Sequence, residues 1–85
     1  MQARTVEVRN VGDLGSRVRE RRGETHLTAD HVAALANVSR RLLLELEQGK
    51  RSNAGFSNVL RILDVLGLRL EVVPRGLPGT RPRAE

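Results

Sequence analysis

The chain has 85 residues, room for one small domain built around one core. It has no cysteine, which excludes a disulfide framework and a thiolate metal site, and with one Phe, no Trp and no Tyr its core must be aliphatic. Fifteen Lys and Arg against ten Asp and Glu leave a net charge of +5, a balance that suits a polyanionic partner such as nucleic acid.

So small an aliphatic core is marginal unless a partner chain adds burial, and a homodimer is the expected state. Nothing resembles a signal peptide or a membrane-spanning apolar run, so a cytoplasmic protein with no membrane partner is expected.

The segment TVEVR, residues 5–9, alternates as a half-buried strand does, with Val6 and Val8 on one face. A first helix follows, with Asn10 as its cap and Asp13 at its third position, running to about Arg22 with Leu14 and Val18 inward. The second helix is capped by Thr28, stapled by Leu27 onto Val32, and ends near Ala36. Asn37, tolerant of the left-handed conformation, makes the reversal. The third helix repeats the start signal: Ser39 caps, Val38 staples onto Leu43, Leu46 continues the inner stripe, and Gly49 stops it.

A fourth helix is expected from about Ser57 to Leu66, with Phe56, Val59, Leu60 and Leu63 inward and Gly67 closing it. Residues 68–73, LRLEVV, alternate again, and an antiparallel pairing with residues 5–9, within one subunit or between two, would set Arg69 and Glu71 opposite Glu7 and Arg9. These signals divide the chain into an N-terminal strand segment (1–9), a helical domain with a C-terminal strand (10–73), and a basic tail (74–85). The tail holds all three prolines and is expected to be disordered.

The second and third helices are joined by a turn of about three residues, the supersecondary unit called helix-turn-helix. Such a unit reads DNA by laying its second helix in the major groove, with the residues of that helix's N-terminal turn meeting base edges. Arg40 and Arg41 fall in that turn, where a fork of donors matches O6 and N7 of guanine. Two arginines at a helix N-terminus also oppose the dipole by a few tenths of a kcal/mol each, roughly, a mildly unfavourable placement that suggests a use. The competing reading is that they are solvated surface charges.

The run LTADHVAALANVSRRLLLELEQGKR resembles the core of the Cro/repressor-type (XRE) helix-turn-helix family, and the resemblance covers residues 13–68. The flanking DLG at Asp13 to Gly15 and the ending VLRILDVLGLRLEV are similar to the HipB-type antitoxins within that family. The resemblance implies a mainly α fold: a four-to-five-helix, lambda-repressor-like DNA-binding domain, here with short N- and C-terminal β-strands pairing antiparallel. It implies a dimeric transcriptional repressor of double-stranded DNA with a palindromic operator, and a HipA-like kinase toxin as a second partner. Residue by residue, Ser39, Arg40, Arg41, Leu44 and Glu45 occupy groove-facing positions, while Thr28, Lys50 and Arg51 would hold phosphates. Arg22 and Glu47 occupy positions that form a largely buried ion pair in related repressors.

Four departures bear on function. Ala29 stands where the family has Gln, which removes a side-chain link to DNA and to the recognition helix. His26 stands where Gly is usual, which puts the geometry of the first turn in question. Leu44 replaces a common Ser, and an exposed Leu there would meet a thymine methyl or be drift. Glu45 accepts only from cytosine N4 or repels a phosphate.

The rival use of the same scaffold is a protein-interaction module built on Leu44 and its neighbours, with weak or no DNA binding. An enzyme is not expected. His26 and His31 lie on a turn and an early helical turn with only scattered carboxylates nearby, and no Gly-rich phosphate loop occurs, so no cofactor is expected either.

Overall fold

In a computed structural model that describes residues 5–51 and 53–74, the chain forms four helices: α1 (Val11–Thr25), α2 (Ala29–Ala36), α3 (Arg40–Glu47) and α4 (Phe56–Val65). Three of them begin on the caps the sequence predicts. The N–H of Asp13 donates to Asn10 Oδ1 at 2.8 Å, that of His31 to Thr28 Oγ1 at 3.1 Å, and that of Leu42 to Ser39 Oγ at 2.9 Å. Each satisfies an N–H that the helix itself leaves unpaired, a contribution of about 1 kcal/mol.

The ends are also local in origin. Asn37 (φ 58°), Gly49 (φ 73°) and Gly67 (φ 71°) turn the chain through the left-handed region. The following N–H groups close back onto the helix, Val38 to Ala33 O at 3.0 Å, Lys50 to Glu45 O at 2.9 Å and Leu68 to Leu63 O at 2.8 Å. α1 runs past the expected Arg22 to Thr25 and stops on His26, which takes φ 61° itself. The turn that a glycine would make without strain is therefore kept by a histidine, a residue enriched among non-glycine left-handed positions.

α1 packs on α3, and α2 packs on both α3 and α4. Val18, Val32, Leu43, Leu46, Ile62 and Leu66 are fully buried between them, the aliphatic core that composition requires. α1 and α3 approach closely enough that a Cβ on Gly15 would lie 1.8 Å from the carbonyl oxygen of Leu46.

Arginines tie the remaining elements together. Arg22 Nε and Nη2 grip the Glu47 carboxylate at 2.7 and 2.8 Å, the bidentate pair that the family resemblance implies. Arg21 Nε donates to Leu66 O at 2.8 Å and Arg61 Nε to Ala36 O at 2.9 Å, so two helix C-termini have carbonyls satisfied by side chains from neighbouring helices.

Two expectations are overturned. Among the described residues there is no β-strand, so the antiparallel pairing of residues 5–9 with 68–73 does not form. The first segment leaves the N-terminus of α1, while the second starts beside Arg21, ten residues and about 15 Å further along that helix. Val6, Val8, Leu70 and Val72 stay exposed rather than sharing a buried sheet face. The charges close within their own segments, Arg9 on Glu7 at 3.3 Å and Arg69 on Glu71 at 2.9 Å, rather than across a ladder.

The second correction concerns α4, which begins one residue early behind Gly55 (φ 88°) and has no side-chain cap. Its buried stripe is Val59, Ile62, Leu63 and Leu66, so the predicted inward Phe56 and Leu60 point to solvent, Phe56 with 64% of its surface exposed. Val59 and Leu63 belong to both the expected and the observed face, and a rotation of the face by roughly 60° about the helix axis is enough to exchange Phe56 and Leu60 for Ile62 and Leu66. Of the expected tail, residues 75–85 lie outside the described residues, and Pro74 is exposed.

Candidate nucleic-acid interface

α3 divides into two faces. Leu42, Leu43, Leu46 and Glu47 are buried against α1 and α2, which leaves Arg40, Arg41 and Gln48 on the outside with Leu44 and Glu45 on the flank. The buried side is anchored by the Arg22–Glu47 pair, in which the Glu47 side chain is only 3% exposed and that of Arg22 20%. Hydrogen bonds from Arg22 to Glu47 outweigh the effect of burial and raise the guanidinium pKa further, so Arg22 keeps its charge in this partly buried position. α3 is thereby fixed in rotation, and its outer face is set by packing rather than by its own preference.

The outer face carries the groups expected there. Arg40 and Arg41 leave the first turn with 62% and 83% of their side-chain surfaces exposed. Ser39 Oγ is the α3 cap and Thr28 Oγ1 the α2 cap, so both hydroxyls sit among the unpaired N–H groups of helix starts, where anions are favoured. Lys50 is exposed just past the end of α3, and Arg51 is half-buried beside it. Leu44 differs from expectation. It is half-buried and packs against the core, so it is not the free apolar side chain the sequence suggests.

Ion pairs organise the outer face. Arg40 Nε lies 3.0 Å from Asp30 Oδ1, a link from α2 to the leading residue of α3. The connection between the two helices that Ala29 cannot make is thus present one residue later, through a carboxylate. Glu45 is engaged twice, with Oε2 3.1 Å from Arg41 Nε and Oε1 2.8 Å from Arg51 Nη1. Hydrogen bonds from Arg41 first and Arg51 second hold its carboxyl below the ordinary carboxylate range, against a smaller upward push from burial. A carboxyl with a lowered folded-state pKa keeps its ion pairs above the unfolded value and loses them as pH falls through the folded one. The Arg41–Glu45–Arg51 arrangement is therefore intact at neutral pH and opens only in acid.

Asp30 stands in the first turn of α2, where the helix dipole favours a negative charge, and its partner across the helix-turn-helix is a through-space relation. His26 closes α1, and the His31 ring lies 3.3 Å from Thr28 Oγ1, so both histidines sit at helix ends. No described helix is long and apolar enough to cross a membrane.

Two capped helices joined through Asn37, the second fixed by a buried pair and presenting arginines at its start, define a DNA-binding helix-turn-helix domain. Comparison with known proteins agrees. Residues 13–75 match the family described as a helix-turn-helix domain. The chain is also 33% identical, over 69 residues that make up 81% of it and 90% of the relative, to an uncharacterized HTH-type transcriptional regulator, y4mF, of Sinorhizobium fredii (strain NBRC 101917 / NGR234). The chain belongs to the helix-turn-helix family, of the XRE-like kind.

Proposed function

We propose that the protein is a homodimeric, sequence-specific DNA-binding transcriptional repressor that places α3 in the major groove. The observation that carries this reading is the exposure of Arg40 and Arg41 at the start of a helix whose opposite face is locked into the core. Arg40 and Arg41, with Ser39, meet base edges; Leu44 and Glu45 border them; Thr28, Lys50 and Arg51 hold phosphates. Exposed ion pairs such as Arg40–Asp30 contribute at most about 1 kcal/mol and exchange readily for a base or a phosphate. A relative described as an HTH-type transcriptional regulator supports the regulatory role.

A dimer is supported by Phe56 and Leu60, exposed four residues apart on one side of α4, which give a second copy an apolar stripe to cover. Two recognition helices about 34–36 Å apart would then meet successive major-groove faces of a palindromic operator. The finer assignment is the antitoxin half of a toxin–antitoxin module, repressing its own operon and binding a HipA-like kinase toxin. Its support is the likeness of the DLG and VLRILDVLGLRLEV segments to HipB-type antitoxins. The protein-interaction reading is not favoured, because Leu44, its intended contact, is half-buried against the core.

Fluorescence anisotropy with a labelled duplex from the region upstream of the gene tests the proposal. Binding is expected to persist at about 0.1 M salt, and its logarithm to fall linearly with that of salt concentration by about 0.9 per phosphate contact. Lys50→Ala should weaken all duplexes alike and reduce that slope by about 1. Failure of every duplex to bind at that salt contradicts the repressor reading. Co-purification with a kinase encoded beside the gene supports the antitoxin assignment, and failure of the two co-expressed proteins to associate contradicts it.

A further inference from the structure

The Arg41–Glu45–Arg51 cluster is more than three charges on a helix. Both carboxylate oxygens of Glu45 are occupied, one by the Nε of a residue at the start of α3 and one by the Nη1 of a residue beyond its end. Because Arg41 is held through Nε, its two terminal nitrogens remain as a fork, on a side chain that is otherwise the most exposed of the cluster. A fork held in this way is presented with fewer rotamers to lose on contact.

The same carboxylate also competes with DNA phosphate. A phosphate approaching Arg41 meets a negative charge already seated on the guanidinium, whereas guanine O6 and N7 are neutral acceptors and meet no such repulsion. The Arg40–Asp30 pair places a second carboxylate on the neighbouring arginine, so both leading cations are screened in the free protein.

The geometry points to Glu45 as a positioning residue that sets specificity: it holds the Arg41 fork for a base edge and keeps Arg41 from binding phosphate indiscriminately. It does this through the arginines, not by touching a base. The inference rests on the DNA-binding reading and deepens it. The lowered pKa of Glu45 agrees, because the clamp is then ionised wherever DNA would be bound.

The test compares wild type with E45Q, and with E45A as a second variant. The probes are a pool of random-sequence duplexes of about 25 bp, long enough for two half-sites, and the best duplex that wild type selects from it. E71Q, whose carboxylate pairs with Arg69 in the C-terminal segment, makes the same charge change outside the helix-turn-helix.

Both Glu45 variants are expected to bind the random pool more tightly, with a salt slope steeper by about 1, because one cation is released to phosphate. The ratio of selected to random affinity should fall roughly tenfold, the low end of what one arginine–guanine fork supplies. E71Q should leave that ratio unchanged. An unchanged ratio in E45Q and E45A overturns the inference. So does an equal loss on both probes accompanied by a lower melting temperature, which would make Glu45 merely structural. Loss of preference for C·G at a single position, with no gain on the random pool, would mean that Glu45 reads cytosine directly. If wild type selects no duplex at all, the DNA-binding reading fails first, and this inference falls with it.

Discussion

Gly15→Ala is expected to destabilise the domain by about 3 kcal/mol or more, the upper end of overpacking costs. The added Cβ would sit 1.8 Å from the Leu46 carbonyl oxygen and 2.9 Å from its carbon, and neither belongs to a side chain that can rotate away. α1 and α3 would have to separate, which also strains the Arg22–Glu47 bridge between them. The sign is what makes the experiment sharp, since Gly to Ala within a helix ordinarily stabilises by about 0.5–1 kcal/mol. Gly23 supplies the control. It lies in the same helix, is exposed, and a Cβ there meets nothing within 4 Å, so Gly23→Ala should raise stability by that amount. Urea melts of the two variants beside wild type check the pair. Equal effects would refute the close crossing of α1 and α3.

Arg22→Ala should cost about 3–5 kcal/mol, the range for removing one partner of a buried ion pair. That is a large part of the stability such a chain commands, roughly 0.05–0.15 kcal/mol per residue. Glu47→Ala should cost less than Arg22→Ala. Removing the arginine leaves a carboxylate whose side chain is 3% exposed with no guanidinium beside it, whereas removing the glutamate leaves a guanidinium that reaches water and keeps the Leu27 carbonyl at 3.4 Å. Denaturant midpoints for the two single variants and the double variant measure both costs and their coupling. The reverse order of the singles would mean that the pair is not buried as described. Because neither side chain lies on the outer face of α3, either variant should also weaken DNA binding through loss of folded protein rather than loss of contacts.

What could be read from the sequence is what is local. Asn10, Thr28 and Ser39 announce three helix starts because a short polar side chain has its partner three residues away, and Asn37, Gly49 and Gly67 announce ends because few other residues take positive φ. α3 was recognisable as the outward helix for the same reason: its caps and apolar spacing fix its limits and its buried side.

Relations through space were hidden. The strict alternation in TVEVR and LRLEVV is a strand signal, but whether a strand forms depends on where a partner edge lies, and among the described residues neither segment is paired with one. The phase of α4 is hard to read because Phe56, the largest apolar side chain near its start, invites an inward placement that it does not have. In the site, the family pattern places Arg22 opposite Glu47 and the i,i+4 spacing allows Arg41 on Glu45, whereas nothing in residue spacing indicates Asp30 on Arg40 or Arg51 on the second oxygen of Glu45. Leu44 illustrates the converse. It could be placed on α3 but not assigned a burial, because it lies where the two faces meet.

The central claim is that the arginines leading α3 touch base edges. Its most direct measurement is a base-substitution scan of the duplex selected by wild type, repeated with Arg40→Ala and with Arg41→Ala. Each variant is predicted to lose preference at one or two base pairs per half-site, at about 1–3 kcal/mol per lost contact, while preferences elsewhere persist. Unchanged preferences in both variants, or a uniform weakening across all positions, would contradict the claim and reduce Arg40 and Arg41 to phosphate contacts or solvated charge.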